Sequence, residues 1–280
     1  MKVFVAVDME GIAGVVDSSQ TSPNGVDYPH ARKWMADEAN AAVRGAFKAG
    51  ATEVVVSDSH GGNGCRNILA HDLDRRATLL TGSPKSLDDP HGLSADFGAL
   101  ILLGMHSRNK SLGVISHTVH GLVVDEIRIN GTPFGEVGFI SALAGHYGVP
   151  TVMVAGDDRT ADEAKDAMPW VKTVVVKWAL SRNAARTLPP EVAADRIEQA
   201  AELAVQGVED SDRLVVEVPV TLEMDFMNAG CADAAAKVPG VERVSGRTVR
   251  FVSEDFATAS RTMSVVIGQG WAVTRAWLGR

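Results

Sequence analysis

Two carboxylates spaced D-x-E, Asp8 and Glu10, stand directly after the apolar run "VFVAV". Asp58 and His60 follow a second apolar run in "VVVSDSH", and His106 follows a third in "ILLGMHSR". Carboxylate oxygen is a hard donor and imidazole nitrogen a borderline one, so together they suit Zn²⁺ or Mn²⁺. More than four candidate ligands leave room for two ions sharing a bridging carboxylate. Glu136, in "PFGEVG", could supply a further anion at the start of a helix. Singly, each of these residues has a plainer use as a helix cap, a solvated loop residue or a charge favoured by the helix dipole. Their convergence at the ends of separate strands is what points to a metal site.

The elements that must position them are legible in the hydrophobic pattern. A continuous apolar run such as "KVFVAV" reads as a strand buried on both faces, the signature of a parallel sheet covered by helices. A helical stretch over 31–48, closed by Gly50, and the strand "TEVVVS" complete a β-α-β unit. "GALILLG" adds another central strand. In open sheets of this kind ligands bind beyond the carboxyl ends of the strands, which is where the charges above stand. "DEIRINGTPFGE" predicts a hairpin turning at Asn130-Gly131, followed by a helix over 136–147 and the strand "PTVMVAG". Thr160 and Glu163 have the spacing of a capping box that opens the next helix. Pro189 and Pro190 start an amphipathic helix to about Gln206, "VTLEMDF" alternates as a half-exposed strand, and "TVRFVS" precedes a C-terminal helix. The expected fold is α/β: a three-layer α/β/α unit with a mostly parallel sheet over 1–180, and a smaller α/β part over 181–280 packed tightly on it.

Composition limits the function. With 280 residues, 45% hydrophobic and 22% charged, the chain has ample core and no signature of disorder. Its net charge of -8 argues against a nucleic-acid partner. The apolar stretch over 98–105 is far short of the ~20 residues of a membrane span, and Asp8 arrives too early for a signal peptide. A cytoplasmic protein is the expectation. Cys65 and Cys231 form neither a disulfide framework nor a C-x-x-C pair, so both are expected to be reduced.

Six motifs in order, "VDMEG" (7–11), "SDSH" (57–60), "GMHSR" (104–108), "ISHT" (115–118), "GEVG" (135–138) and "VAGDD" (154–158), resemble the M55 family of zinc aminopeptidases. The resemblance is strongest over 1–185. It implies two zinc ions per chain, with Asp8 bridging them, Glu10 and His106 completing one site, and His60 and Glu136 completing the other. It also implies that His117 is the catalytic residue, described in the family as a nucleophile. A ring-shaped decamer with active sites facing an inner cavity is the assembly it suggests.

The residues fit that chemistry. Paired zinc ions can polarise a peptide carbonyl and anchor a free α-amine, which would make the enzyme an exopeptidase acting on short peptides. An imidazole in a loop beside them could attack or carry a proton. The plainer reading of His117 is a structural residue beside His120. Asp58 could orient an imidazole or cap the following segment. Two other functions use a similar donor set: a di-metal phosphoesterase, which would want a cationic grip that only Arg108 is near enough to offer, and a non-catalytic metal- or peptide-binding protein of a transport system.

Overall fold

The computed structural model describes residues 1–85 and 92–279. Its first half alternates strand and helix: β1 (Lys2–Val7), a single-turn α1 (Ser18–Thr21), α2 (Tyr28–Lys48), β2 (Glu53–Asp58), β3 (Thr78–Leu80) and β4 (Ala99–Met105). A hairpin of β5 (Val124–Ile129) and β6 (Thr132–Phe134) leads into α3 (Glu136–His146), β7 (Thr151–Asp157) and α4 (Asp158–Ala167). Then come β8 (Lys172–Ser181), β9 (Ala184–Thr187), α5 (Pro190–Gln206), β10 (Val220–Phe226), α6 (Ala229–Ala235), β11 (Glu242–Arg243), β12 (Thr248–Ser253) and α7 (Phe256–Trp277).

Among the described residues the strands form a seven-stranded sheet in the order β3-β2-β1-β4-β7-β8-β9 and a five-stranded sheet in the order β11-β12-β10-β5-β6. The first is parallel except where β9 folds back on β8, and the second is antiparallel. Val3, Val5 and Val7 of β1 pack with α2 and α5, whereas Phe4 and Ala6 pack with α3 and α4. All five are fully buried, which is why the sequence shows no alternation there. Helix α3 serves two cores: Val137, Ile140 and Ala144 face the parallel sheet, and Phe139, Ala142 and Leu143 join the core of the second sheet. Glu136 therefore starts a helix clamped from both sides. The chain folds as the expected mixed α/β protein with a mostly parallel sheet between helices.

Several boundaries differ from expectation. Strands β8 and β9 belong to the first sheet and α5 packs on α2, while β5 and β6 from the middle of the chain join the second sheet, so the two sheets do not divide at residue 180. Helix α2 starts at Tyr28 rather than 31, with Pro29 in its first turn, where a missing N–H costs nothing. Thr160 and Glu163 do not form a capping box. Asp157 caps α4 by accepting from the Thr160 amide and hydroxyl, both at 2.7 Å, and Glu163 accepts instead from the Arg108 amide at 2.9 Å. An aspartate three residues earlier competes better for the free amides than a threonine already inside the helix. The hairpin turns at Asn130-Gly131 as expected, with φ of 49° and 83°. Among the described residues no helix is long and apolar enough to cross a membrane.

Candidate metal centre

From β1 the chain passes to β2 and β3 on one side, then returns to β4 and β7 on the other. The order reverses between β1 and β4, and the crevice at their carboxyl ends is the ligand position of an open α/β sheet. Asp8 and Glu10 leave β1 there, His60 follows β2, and His106 follows β4. Close backbone approach makes this possible. The Asp8 amide donates to Leu103 O at 2.8 Å and the Gly11 amide to Gly104 O at 2.7 Å. A Cβ on Gly11 would lie 2.0 Å from Met105 O, and one on Gly104, whose φ is +63°, would lie 2.0 Å from Asp8 O. Glycine is required at both positions.

The structure brings all six predicted residues to one place. Asp8 Oδ1 is 3.2 Å from His60 Nδ1, and Asp8 Oδ2 is 3.5 Å from His106 Nε2. Glu10 Oε2 lies 3.1 Å from His60 Nδ1, and Glu136 Oε1 lies 3.1 Å from His106 Nε2. The side chains thus gather as Asp8, Glu10 and His60 on one side and His106, His117 and Glu136 on the other. This grouping differs from the expected partition, in which Glu10 went with His106 and His60 with Glu136. Reach decides it: Glu10, at the loop after β1, meets the residue beyond β2, and α3 delivers Glu136 to the residue beyond β4.

Each imidazole is oriented by a main-chain carbonyl. His60 Nε2 donates to Thr21 O at 2.8 Å, His106 Nδ1 to Ser107 O at 3.1 Å, and His117 Nδ1 to Ile115 O at 2.9 Å. One ring nitrogen is thereby committed as a donor, and His60 Nδ1 and His106 Nε2 are aimed at carboxylates. A second partner that fixes the ring in this way is characteristic of metal-ligating histidine.

Burial makes the group unstable by itself. Asp8, Glu10, His60 and His106 are almost wholly buried. Burial, then the neighbouring Glu10 carboxylate, pushes Asp8 up to about 7. Burial opposes the charge of Glu10 as well, but His60 outweighs it and holds Glu10 well below the usual carboxylate range. On His106 burial is likewise outweighed, here by Glu136 and Asp8, and the ring rises to about 10. Glu136 falls to about 2 against its own burial, through His106. Burial, followed by the proximity of His106, lowers His117. Among the described residues Glu10 Oε2 and His106 Nε2 are buried without a hydrogen bond. Buried unpaired donors of this type, crowded around like charges, fit divalent cations. The residues present therefore match a carboxylate-imidazole metal centre.

The surrounding residues explain the motifs. Asp58 does not touch an imidazole. It accepts from the Ile68 amide at 2.8 Å, from the Asn67 side chain at 2.8 Å and from the Asn67 amide, which organises the loop carrying His60. Asn67 in turn donates to His60 O at 2.7 Å. His117 sits in a loop where Ile115 and Val119 take φ of 48° and 53°. Two β-branched residues in the left-handed region are strained, and such strain clusters at functional sites. Asp157 Oδ2 holds that loop through the Val114 amide at 2.6 Å, and Glu136 Oε1 accepts from the Val119 amide at 2.8 Å. The centre opens into a cavity of about 460 Å³ whose far wall is Trp271 of α7, packed on His120 with ring centroids 4.4 Å apart.

Sequence reasoning missed Lys177 and Glu38. Both are fully buried, and both hold the loop after β1. Lys177 Nζ donates to the carbonyls of Glu10, Ile12 and Val15, and Glu38 Oε1 accepts from the Ala13 amide at 2.8 Å. The signal was present: Lys177 interrupts the apolar run "VVVKWA", and Glu38 falls on the buried stripe of α2 with Ala31, Met35 and Ala42.

A buried carboxylate-imidazole cluster at the switch point of an α/β sheet defines a protein with a candidate metal centre at its ligand edge. The M55 peptidase family, described as D-aminopeptidase, matches residues 1–265 of this chain. A D-aminopeptidase of Bacillus subtilis (strain 168) is 36% identical over 268 residues, covering 95% of this chain and 96% of that protein. The solved structure of Zn-dependent D-aminopeptidase DppA from Bacillus subtilis, described as a self-compartmentalizing protease, superposes with a TM-score of 0.92 at 35% identity, covering 97% of this chain and 98% of that one. The chain belongs to the M55 D-aminopeptidase family and is a peptidase.

Proposed function

We propose that the protein is a two-zinc aminopeptidase that removes the N-terminal residue from short peptides. One observation carries this reading: the two carboxylate oxygens of Asp8 face different imidazoles, His60 at 3.2 Å and His106 at 3.5 Å, so one carboxylate can serve two ions. Glu10 would complete the His60 side and Glu136 the His106 side. The zinc dependence of the related DppA supports the choice of metal. Zinc held there would supply Lewis acidity toward the scissile carbonyl and an anchor for a free amine.

His117 then acts on the substrate. Its Nδ1 is committed to Ile115 O, and burial with the adjacent His106 keeps the ring neutral near pH 7. A neutral imidazole offers a lone pair at Nε2, as a base that takes a proton and returns it to the leaving amine or as a nucleophile. The wall of Trp271 and His120 shields the reacting groups on the far side. A phosphoesterase is disfavoured because no arginine or lysine is among the described residues lining this cavity, and Arg108 lies instead 3.8 Å from Glu126. A protein that only binds is disfavoured because the chain belongs to a peptidase family. The family resemblance suggests a decameric ring, and the description of the related DppA as a self-compartmentalizing protease supports a closed assembly. Two free cysteines agree with a reducing, cytoplasmic home.

Elemental analysis tests the metal. Zinc-reconstituted protein should hold about two ions per chain, and Asp8→Ala should lose both. Wild type that takes up no zinc, or a variant that retains two ions, contradicts the proposal.

A further inference from the structure

The loop between β1 and α1 carries Glu10 yet has no helix or strand of its own, so side chains from elsewhere must fix it. Lys177 comes from β8, where an apolar residue would fill the core without the cost of burying an ammonium. Its three N–H groups are all used, on the carbonyls of Glu10, Ile12 and Val15. Three carbonyls of one irregular segment converge on a single point charge. In addition Glu38 Oε1 takes the Ala13 amide at 2.8 Å, and Gly104 O takes the Gly11 amide at 2.7 Å. The segment 10–15 is thus braced through its main chain before any ion contacts it.

We propose that Lys177 is a positioning residue that pre-forms the Glu10 loop for metal capture. This rests on the reading of Glu10 as a zinc ligand. The ammonium ties Glu10 O to the sheet, and the Glu10 carboxylate then has one direction to point, toward His60 Nδ1 at 3.1 Å. A site that need not organise on binding holds its ion more tightly, because no ordering entropy is spent at that step. The charge of Lys177 also lies near the carboxylates of Asp157, Glu38 and Glu10 and favours their ionised forms.

Two measurements test it. Lys177→Met keeps the length and apolar stem but removes the three donors. Chelator competition should show zinc bound at least ~10-fold more weakly, the scale on which supporting partners of metal ligands act. Hydrogen exchange on chelator-treated wild type should show the amides of Gly11, Ala13 and Val15 protected without zinc. In Lys177→Met those amides should lose protection while β1 and β4 keep theirs. A role confined to general stability would lower protection throughout and leave zinc affinity unchanged. Wild-type zinc affinity in the variant overturns the proposal, as does free exchange of the loop in zinc-free wild type. The second result needs no variant, so it decides the matter even if Lys177→Met does not fold. Wild type that binds no zinc would refute the ligand assignment itself, whereas loop protection reports on the brace alone.

Discussion

The imidazole rings of His106 and His117 stack with centroids 3.9 Å apart and planes 14° from parallel. Two stacked rings cannot both carry charge cheaply. The carboxylates of Glu136 and Asp8 lie against His106 Nε2, which marks that ring as the one facing the candidate metal position, while burial and the neighbouring His106 lower His117 and keep it uncharged. On the proposed function, the pair divides the labour between a ring that faces the carboxylates and a ring left free to act on the substrate.

His117→Ala should therefore keep the fold and the metal and lose at least ~10²-fold in kcat, the usual scale for a positioned base or nucleophile. KM should change little, because substrate anchoring does not involve this ring. The check is kcat beside zinc content and melting temperature for the single variant. A depressed melting temperature with near-normal turnover per folded molecule would make His117 structural.

Glu38 gives a pH dependence of stability with a definite sign. Burial raises its pKa from 4.5 to about 7 in the folded chain. The folded state holds the proton more tightly than the unfolded state, so the contribution is complete below pH 4.5 and is lost as pH rises through 7. The loss is on the order of 3 kcal/mol for a group so fully buried. Glu38→Gln keeps an oxygen for the Ala13 amide but does not titrate. Its stability relative to wild type, measured in chelator to keep zinc out of the balance, should rise between pH 5 and pH 8. A difference that stays flat over that range would show that Glu38 is not a buried titrating group.

Assembly is open to direct test. If the chain forms the decameric ring proposed above, light scattering should give roughly ten times the chain mass of 29.6 kDa. A clean monomer at micromolar concentration would refute the ring.

The parallel sheet and the gathering of Asp8, Glu10, His60 and His106 at one edge of it were legible because each has a local signature, whereas His117 entered only through the family resemblance. Apolar runs without alternation mark doubly covered strands, and charges placed just past them mark the ligand edge. The pairing of ligands was not legible, because whether Glu10 meets His60 or His106 depends on a loop path that no spacing encodes. The sheet membership of β5 and β6 was hidden for the same reason: a hairpin signal tells of its own turn and nothing of β10, the distant strand that pairs with β5. Lys177 and Glu38 were passed over although each breaks an apolar pattern. An isolated charge on a buried face has to find polar partners, and here both find the main chain of the loop that carries Glu10.

The central claim is that the cavity cleaves a peptide bond next to a free amine, with the metals as anchor. The most direct measurement compares D- and L-aminoacyl p-nitroanilides and dipeptides with their N-acetylated counterparts, with zinc added and with zinc removed by chelator. Zinc-dependent release of the N-terminal residue, lowered at least ~10²-fold by acetylation, is the expected result. Absence of turnover across both series with zinc bound, or equal cleavage of the acetylated compounds, would contradict the account.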